Sequence, residues 1–331
     1  MSLDSVLWAQ TEDYTNWSNW DGSYFFPQQA SDNAAAVDGT FDLIFWVSVF
    51  FFVLIVVPMV VFIVKYRRRP GYSPKPAQDH NLVLELGWSV IPTLILVLFF
   101  VKGVWGYMDM RTPPDEASEY EIQAQASQFS WKFTYPNGTV SPKLVLPINT
   151  PVRFRLQSSD VIHSFFIPAF RLKHDVVPGR FGTAWVNPTR VGTYRLYCAE
   201  FCGDGHSLMR RDVEVVDKTW EEVMDEIKWK YEEHDAWGNG QHLYILNCAG
   251  CHSVDGSTKT GPSFLDAWGT QRETYSGSVL FDENYARESI LDPNAKVRTP
   301  FPRPSAMPTF QGKLTEDEIN YLIEFLKDPA R

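Results

Sequence analysis

Only four cysteines occur in 331 residues, so no disulfide lattice carries this fold. Positive charge is also short, with 30 Lys and Arg against 40 Asp and Glu. A net charge of −10 excludes the basic footprint that a nucleic-acid binder needs. A mean hydropathy of −0.22 excludes a chain that is mostly membrane, while leaving room for one or two spans. Residues 1–40 contain six acids and no Lys or Arg. No basic stretch with a short apolar run stands before Leu43, so no signal peptide is visible; either a leader has been removed or the first span directs export. What remains is an ordinary folding composition, 44% hydrophobic and 21% charged, at a length suited to about two domains. Twelve tryptophans fit a chain that meets a membrane interface.

Leu43–Val64 (LIFWVSVFFFVLIVVPMVVFIV) is an uncharged run of 22 residues, enough as a helix to cross a hydrocarbon layer of about 30 Å. Pro58 is tolerable there because lipid offers no competing water. Leu86–Val101 is a second run, with Lys102 near its far end, where it can snorkel to the interface. Two buried core helices are the plainer alternative. Between the runs, Lys65–Asn81 holds five bases and one acid, Asp79. The positive-inside rule puts that loop in the cytoplasm and both termini outside, as expected of a two-pass protein of a bacterial inner membrane. Pro113-Pro114 then marks the exit into an external part large enough for two cores.

From Glu119 to Asp217 the punctuation is that of strands and turns. Glu121–Ala126, Trp131–Tyr135, Val152–Leu156, Phe181–Val186, Thr193–Tyr197 and Val213–Val216 are short and rich in β-branched or aromatic residues. Pro136-Asn137-Gly138, Pro147, Pro178-Gly179 and Val191-Gly192 separate them, which predicts a β-sandwich or small barrel. One strand leads into Cys198-Ala-Glu-Phe-Cys202-Gly-Asp-Gly-His206-Ser-Leu-Met209, and His163 stands at the start of another. Thiolates with imidazoles suit copper or zinc, and the thioether favours copper. Two Cys exceed what a mononuclear blue-copper site uses, so two His, two Cys and one Met are better spread over two coppers bridged by both sulfurs. The rival reading is a Cys198–Cys202 disulfide with His and Met incidental. His174 reads as an ordinary surface or core histidine.

Cys248-Ala-Gly-Cys251-His252 carries the attachment pattern of c-type haem, with two thioethers and a proximal imidazole. The rival, a thioredoxin-like pair, requires a βαβ context that is lacking. After His252 the chain has no other His and one Met, Met307, in Ala306-Met307-Pro308, which makes it the candidate sixth ligand. His/Met ligation raises a haem potential, as a respiratory carrier requires. Gln241–Asn247 leads into the motif, and Thr315-Glu-Asp-Glu318 opens a last helix with a capping box and an apolar face of Ile319, Leu322, Ile323 and Leu326. Lys218–Tyr231 reads as an amphipathic helix with Trp220, Val223, Met224 and Ile227 on one face: either a connector docking the haem domain onto the copper domain, or a solvated linker.

The stretch around Cys198–Met209 resembles the CuA loop of cytochrome c oxidase subunit II. The likeness extends to Ser159-Asp-Val-Ile-His163-Ser, Leu172-Lys-His-Asp-Val-Val-Pro-Gly-Arg180 and the two spans, over about Thr40–Val216. It implies a cupredoxin-like domain whose binuclear copper is held by His163, Cys198, Cys202, His206 and Met209 and by the carbonyl of Glu200. The Glu200 side chain then faces a Mg²⁺ shared with subunit I. Leu84-Glu85-Leu-Gly-Trp88-Ser-Val-Ile-Pro92 also matches, which implies that Glu85 lies at the mouth of a proton pathway (the K-pathway) into subunit I. The haem stretch resembles class I cytochromes c, in which the Pro at the position of Pro262 orients the proximal imidazole and Met307 would be the distal ligand. One residue departs from the pattern: Phe129, in Gln128-Phe129-Ser130-Trp131, stands where the family has the Trp that receives electrons from soluble cytochrome c. The aromatic surface is expected to persist there without the indole.

The expected order is an exported segment over 1–40, a membrane helix over 41–64, a cytoplasmic loop over 65–81 and a second membrane helix over 82–108. An all-β cupredoxin-like copper domain follows over 113–217, a helical connector over 218–236 and an all-α cytochrome c domain over 237–331. The resemblance implies a subunit II fused to its own cytochrome c, as in caa-type oxidases. It would pass electrons from haem c to CuA and on to a proton-pumping, O₂-reducing subunit I, beside a subunit III. The donor would be a cytochrome c or a quinol-oxidising complex. The alternative from another class is a membrane-anchored dicopper and haem electron-transfer module with no oxidase partner.

Overall fold

Two long apolar helices make up one compact unit, Asp32–Pro113. The computed structural model describes residues 23–71 and 79–331. Residues 1–22 of the expected exported segment and 72–78 of the expected loop, Lys75 included, lie outside the described residues. Helices α1 (Asp32–Lys65) and α2 (Leu82–Arg111) are each long and apolar enough to cross a membrane. Side chains such as Trp46, Phe50, Ile63, Leu94 and Phe100 are exposed along them, the surface a lipid phase would cover. Helix α1 starts at Asp32 rather than at 41, because Ala34, Ala35 and Ala36 are strong helix formers behind an acidic first turn. Helix α2 continues past 108 to Arg111 and stops before Pro113. Its start is capped twice: Asn81 Oδ1 accepts from the Leu84 N–H (3.1 Å), and Glu85 Oε1 accepts from the Asn81 N–H (3.0 Å).

The remaining residues form the second unit, in which a β-sandwich and a helical region each have a core. The strands are β1 (Glu121–Ser127), β2 (Ser130–Thr134), β3 (Val140–Ser141), β4 (Leu144–Pro147) and β5 (Val152–Ser158). They continue with β6 (His163–Ile167), β7 (Leu172–Val176), β8 (Gly182–Val186), β9 (Gly192–Cys198) and β10 (Arg210–Val216). One sheet runs β3-β2-β1-β5-β8 and the other β4-β10-β9-β6-β7. The pairs β1·β5 and β4·β10 are parallel, and the other pairs are antiparallel. Strict alternation drives the burial: Ile122, Ala124 and Ala126 of β1 point inward, as do Val152, Phe154 and Leu156 of β5. The two inner faces meet where Phe154 packs on Phe165 with ring centroids 5.1 Å apart and Trp131 meets Phe165 edge-on at 5.5 Å.

Residues just before α1 also belong to this sandwich, which charge alone did not signal. The Ala30 N–H donates to Ala169 O (3.0 Å), Thr189 N–H donates to Ala30 O (3.0 Å), and Ala30 is fully buried.

The connector helix α3 (Trp220–Ile227) is shorter than the expected Lys218–Tyr231. A complete capping box of Thr219 and Glu222 starts it, and Trp220 and Val223 are buried in the sandwich core. Lys228 then turns extended, and Trp229 leaves the helix to lie between His234 and His242, with ring separations of 3.9 and 4.0 Å. The connector therefore holds the sandwich with one end and the helical region with the other.

That region contains α4 (Ala236–Asn247), α5 (Glu283–Leu291) and α6 (Glu316–Lys327). Thr315 and Glu318 cap α6 reciprocally, and Ile319, Leu322, Ile323 and Leu326 are buried. A hairpin of β11 (Gln271–Thr274) and β12 (Gly277–Leu280) is inserted before α5. The Gly277 turn and alternating residues form it, a signal outweighed in the sequence by the helical periods on either side.

Candidate metal centres

Strand β9 ends with Tyr194, Leu196 and Cys198 as its inward row, so the pleat itself carries Cys198 into the sandwich. Its neighbour β6 begins with His163, which is fully buried. The loop from Ala199 to Met209 then folds back over both strand ends. Cys198 Sγ lies 3.8 Å from His163 Nδ1, 3.9 Å from Cys202 Sγ and 3.2 Å from the Glu200 carbonyl oxygen. Cys202 Sγ lies 3.5 Å from His206 Nδ1 and 3.9 Å from Met209 Sδ. The donor atoms of His163, Cys198 and Cys202 all lie within 4.8 Å of one another. All six groups singled out from the sequence thus meet in one place. Their chemistry (two thiols, two imidazoles, a thioether and a carbonyl) fits a pair of soft metal ions. The cysteines are free, at a sulfur separation far longer than the S–S bond of the rival disulfide.

Proximity makes the titrating groups of this cluster perturb one another in opposite directions. Burial opposes ionisation of Cys198, but hydrogen bonding with His163 and to backbone groups outweighs it and brings the thiol down to about 6. Burial and the neighbouring Cys198 charge push Cys202 up to about 12. Asp160 is a residue that sequence reasoning passed over. Its Oδ1 lies 2.8 Å from His163 Nε2, which leaves Nδ1 to face the sulfurs, and its Oδ2 accepts from the Gln128 N–H (2.6 Å). Burial resists charge on His163, yet the Asp160 carboxylate raises its pKa to about 9. A carboxylate three residues before a candidate histidine ligand was the signal that pointed to it.

The second centre is a largely apolar pocket walled by Cys251, His252, Pro262, Phe264, Tyr285 and Met307 among others. His252 Nδ1 donates to the Pro262 carbonyl (2.8 Å), so Nε2 is the ring nitrogen left for a metal. The ring stacks on Phe264 at 4.5 Å. Tyr244 OH donates to the His252 carbonyl (2.9 Å) and fixes the backbone of the motif. Burial pushes the Cys248 thiol up to about 12. An apolar pocket with the Cys251 thiol and an oriented imidazole in its wall, and a second free thiol at Cys248 in the same motif, fits a porphyrin joined through sulfur.

Phe129 is not part of a persisting aromatic surface. It is 4% exposed: its ring packs on Gly203 and Gly205 of the copper loop, and Gly250 of the haem motif lies against its backbone. Glu85 belongs to the hairpin unit, where its carboxylate closes the first turn of α2 and lies 3.6 Å from His80. His174 makes its close contact with the Asp175 carbonyl (2.9 Å) and joins no metal-binding cluster among the described residues.

Comparison with known proteins agrees with this geometry. The family model for the transmembrane domain of cytochrome c oxidase subunit II matches residues 18–102, that for its periplasmic domain 134–216, and that for cytochrome c 238–328. Cytochrome c oxidase subunit 2 of Alkalihalophilus pseudofirmus is 32% identical over 313 residues, 86% of this chain and 85% of the relative. The chain belongs to the cytochrome c oxidase subunit II family. A second subunit 2, from Bacillus sp. strain PS3, is 28% identical over 79% of each chain. The solved periplasmic domain of subunit II from Bradyrhizobium japonicum is 27% identical and covers 35% of this chain and 94% of its own, with a TM-score of 0.32. The present subunit II thus combines a membrane hairpin, a β-sandwich of the copper-binding family and a cytochrome c domain in one polypeptide.

Proposed function

We propose that this subunit II is where electrons enter an aerobic respiratory haem–copper oxidase, arriving at a covalent haem c and leaving through a binuclear copper centre toward subunit I. The observation that carries the reading is the convergence of six copper-type donor groups in the same unit as an apolar pocket lined by His252 and Met307, with Cys251 of the haem motif 3.6 Å from Gln128 of the sandwich. When bound, the two groups supply reversible one-electron chemistry.

The residues of the chain hold and insulate them. Cys248 and Cys251 would hold the haem through thioethers, and His252 Nε2 and Met307 Sδ would ligate its iron. Pro262 keeps the His252 ring from rotating, and Phe264 covers its face. His163, Cys198, Cys202, His206, Met209 and the Glu200 carbonyl would share two coppers, with Asp160 fixing the His163 tautomer. Tethering makes transfer between the centres intramolecular and therefore independent of protein concentration.

Around the copper loop, Phe201 is 75% exposed, and Leu208 and Ile162 are exposed beside it. This apolar rim suits docking on subunit I, with the exposed Glu200 carboxylate available to a Mg²⁺ between the subunits. Glu85 would stand at the proton-pathway mouth, with subunit III also in the complex. The basic segment Lys65–Arg69 argues for a cytoplasmic loop, and hence for redox domains and both termini on the periplasmic side of the inner membrane. The cytochrome domain is mildly acidic, with 12 acids and 9 bases from Trp237 to Arg331. That balance leaves a cytochrome c or a quinol-oxidising complex as donor and disfavours a strongly acidic one.

In the complex purified with its partner chains, Cys202→Ser is expected to abolish the dicopper EPR signal and O₂ reduction while covalent haem stays at the parent level. Turnover that persists in the variant would overturn this route.

A further inference from the structure

Between β1 and β2 the chain turns at Gln128-Phe129, and this dipeptide touches both redox sites. On the haem side, Cys251 Sγ lies 3.6 Å from the Gln128 carbonyl oxygen. The Phe129 backbone passes so close to Gly250 that a Cβ there would come within 3.2 Å of the Phe129 oxygen and press on it. On the copper side, Gln128 Nε2 donates to the Cys202 carbonyl (2.5 Å). The Gln128 N–H donates to Asp160, the carboxylate that also holds His163. The Phe129 ring fills the space above Gly205, where a Cβ would overlap it. The other hydrogen bond nearby that joins the two domains, Lys132 Nζ to Asn247 Oδ1 (2.7 Å), lands on β2 and on no copper-ligand residue.

We infer that Gln128 is the electron bridge of this chain. One electron leaves the reduced haem through the Cys251 sulfur, crosses to the Gln128 carbonyl, follows the covalent bonds of that residue to Nε2, and passes over the N–H···O=C bond onto Cys202. The haem iron is oxidised by one electron, the oxidised copper pair is reduced by one, and no proton moves. The inference rests on the relay proposed above. It makes Gln128 a positioning residue for electron flow: the route has one through-space step, the 3.6 Å from the Cys251 sulfur to the Gln128 carbonyl, and from there covalent bonds and a hydrogen bond couple better than a van der Waals gap of the same length. It also gives Phe129 a reason to differ from the family's tryptophan: a ring wedged inside the molecule has no soluble partner to meet.

The test uses the full-length protein loaded with haem and copper, as parent, Gln128→Met, Gln128→Glu and Lys132→Met. Gln128→Met keeps the length of the side chain and removes the donor. Gln128→Glu is isosteric and cannot donate when ionised, so the question survives if one variant fails to fold. Lys132→Met removes the neighbouring domain contact only. A light-triggered donor reduces the haem, and absorbance follows the electron to copper. Amide hydrogen exchange at residues 201–205 and 249–252 reports domain docking, and EPR reports the copper environment. Both Gln128 variants are expected to slow the transfer several-fold, with docking and EPR as in the parent, while Lys132→Met transfers at the parent rate. Parent-like rates in the Gln128 variants would overturn the bridge. So would equal slowing by Lys132→Met, or slowing that tracks faster exchange. A parent whose haem never reduces its copper would overturn the relay itself, and the bridge with it.

Discussion

The copper site draws its side chains from two strand ends and one loop, and Cys198, Cys202 and Met209 join a sandwich core that is built mostly of other residues. The haem site is instead a largely apolar pocket within its own domain, walled in part by core residues such as Ala286, Ile290 and Leu326. A small ion can be added to a rigid scaffold, whereas a large apolar group becomes part of the core and its burial becomes part of the folding free energy. The two centres of one chain should therefore respond differently when their ligands are removed.

The largest effect is expected from Cys248→Ser combined with Cys251→Ser. Without covalent haem, the cytochrome domain should lose its helical circular dichroism while the dicopper EPR signal of the sandwich persists. Retained helicity in haem-free protein would break the contrast.

Next in size is acid. Burial, aided by His234, lowers the His242 pKa to about 4 against the ordinary value of 6.5. The folded state therefore holds this ring neutral, and the unfolded state binds more protons between those values. Its stabilising contribution is complete above about pH 6.5 and is lost as the pH falls toward 4, by up to about 3 kcal/mol. Denaturant titrations of the cytochrome domain should show this slope, and His242→Gln should flatten it.

The smallest effect sharpens the copper side. Asp160→Asn is expected to weaken copper affinity about 10–100-fold by loosening the His163 tautomer, with the sandwich still folded. A competition titration against a chelator of known affinity measures it, and unchanged affinity would remove Asp160 from the site.

Much of this was legible because it is local. Cys198, Cys202, His206 and Met209 fall within one short loop, Cys248, Cys251 and His252 within five residues, and Thr315 with Glu318 within one helical turn. Periodicity likewise revealed the hairpin and most strands, although β3, β4 and β7 lacked a clear bounded run. Long-range partners were not legible. Asp160 acts on Gln128 from 32 positions away, Ala30 pairs with Ala169 and Thr189, and Trp229 breaks the expected helix to stack between two histidines. None of these leaves a period or a motif.

The sequence by itself determined which chemistry the chain carries, since ligand type and close spacing are set by covalent order and short loops cannot escape it. Only the tertiary structure decided how the two chemistries meet. That the Phe129 ring is covered by the copper loop while its backbone meets the haem motif depends on segments packing together, and that packing arises from the summed burial of surfaces far apart in the chain.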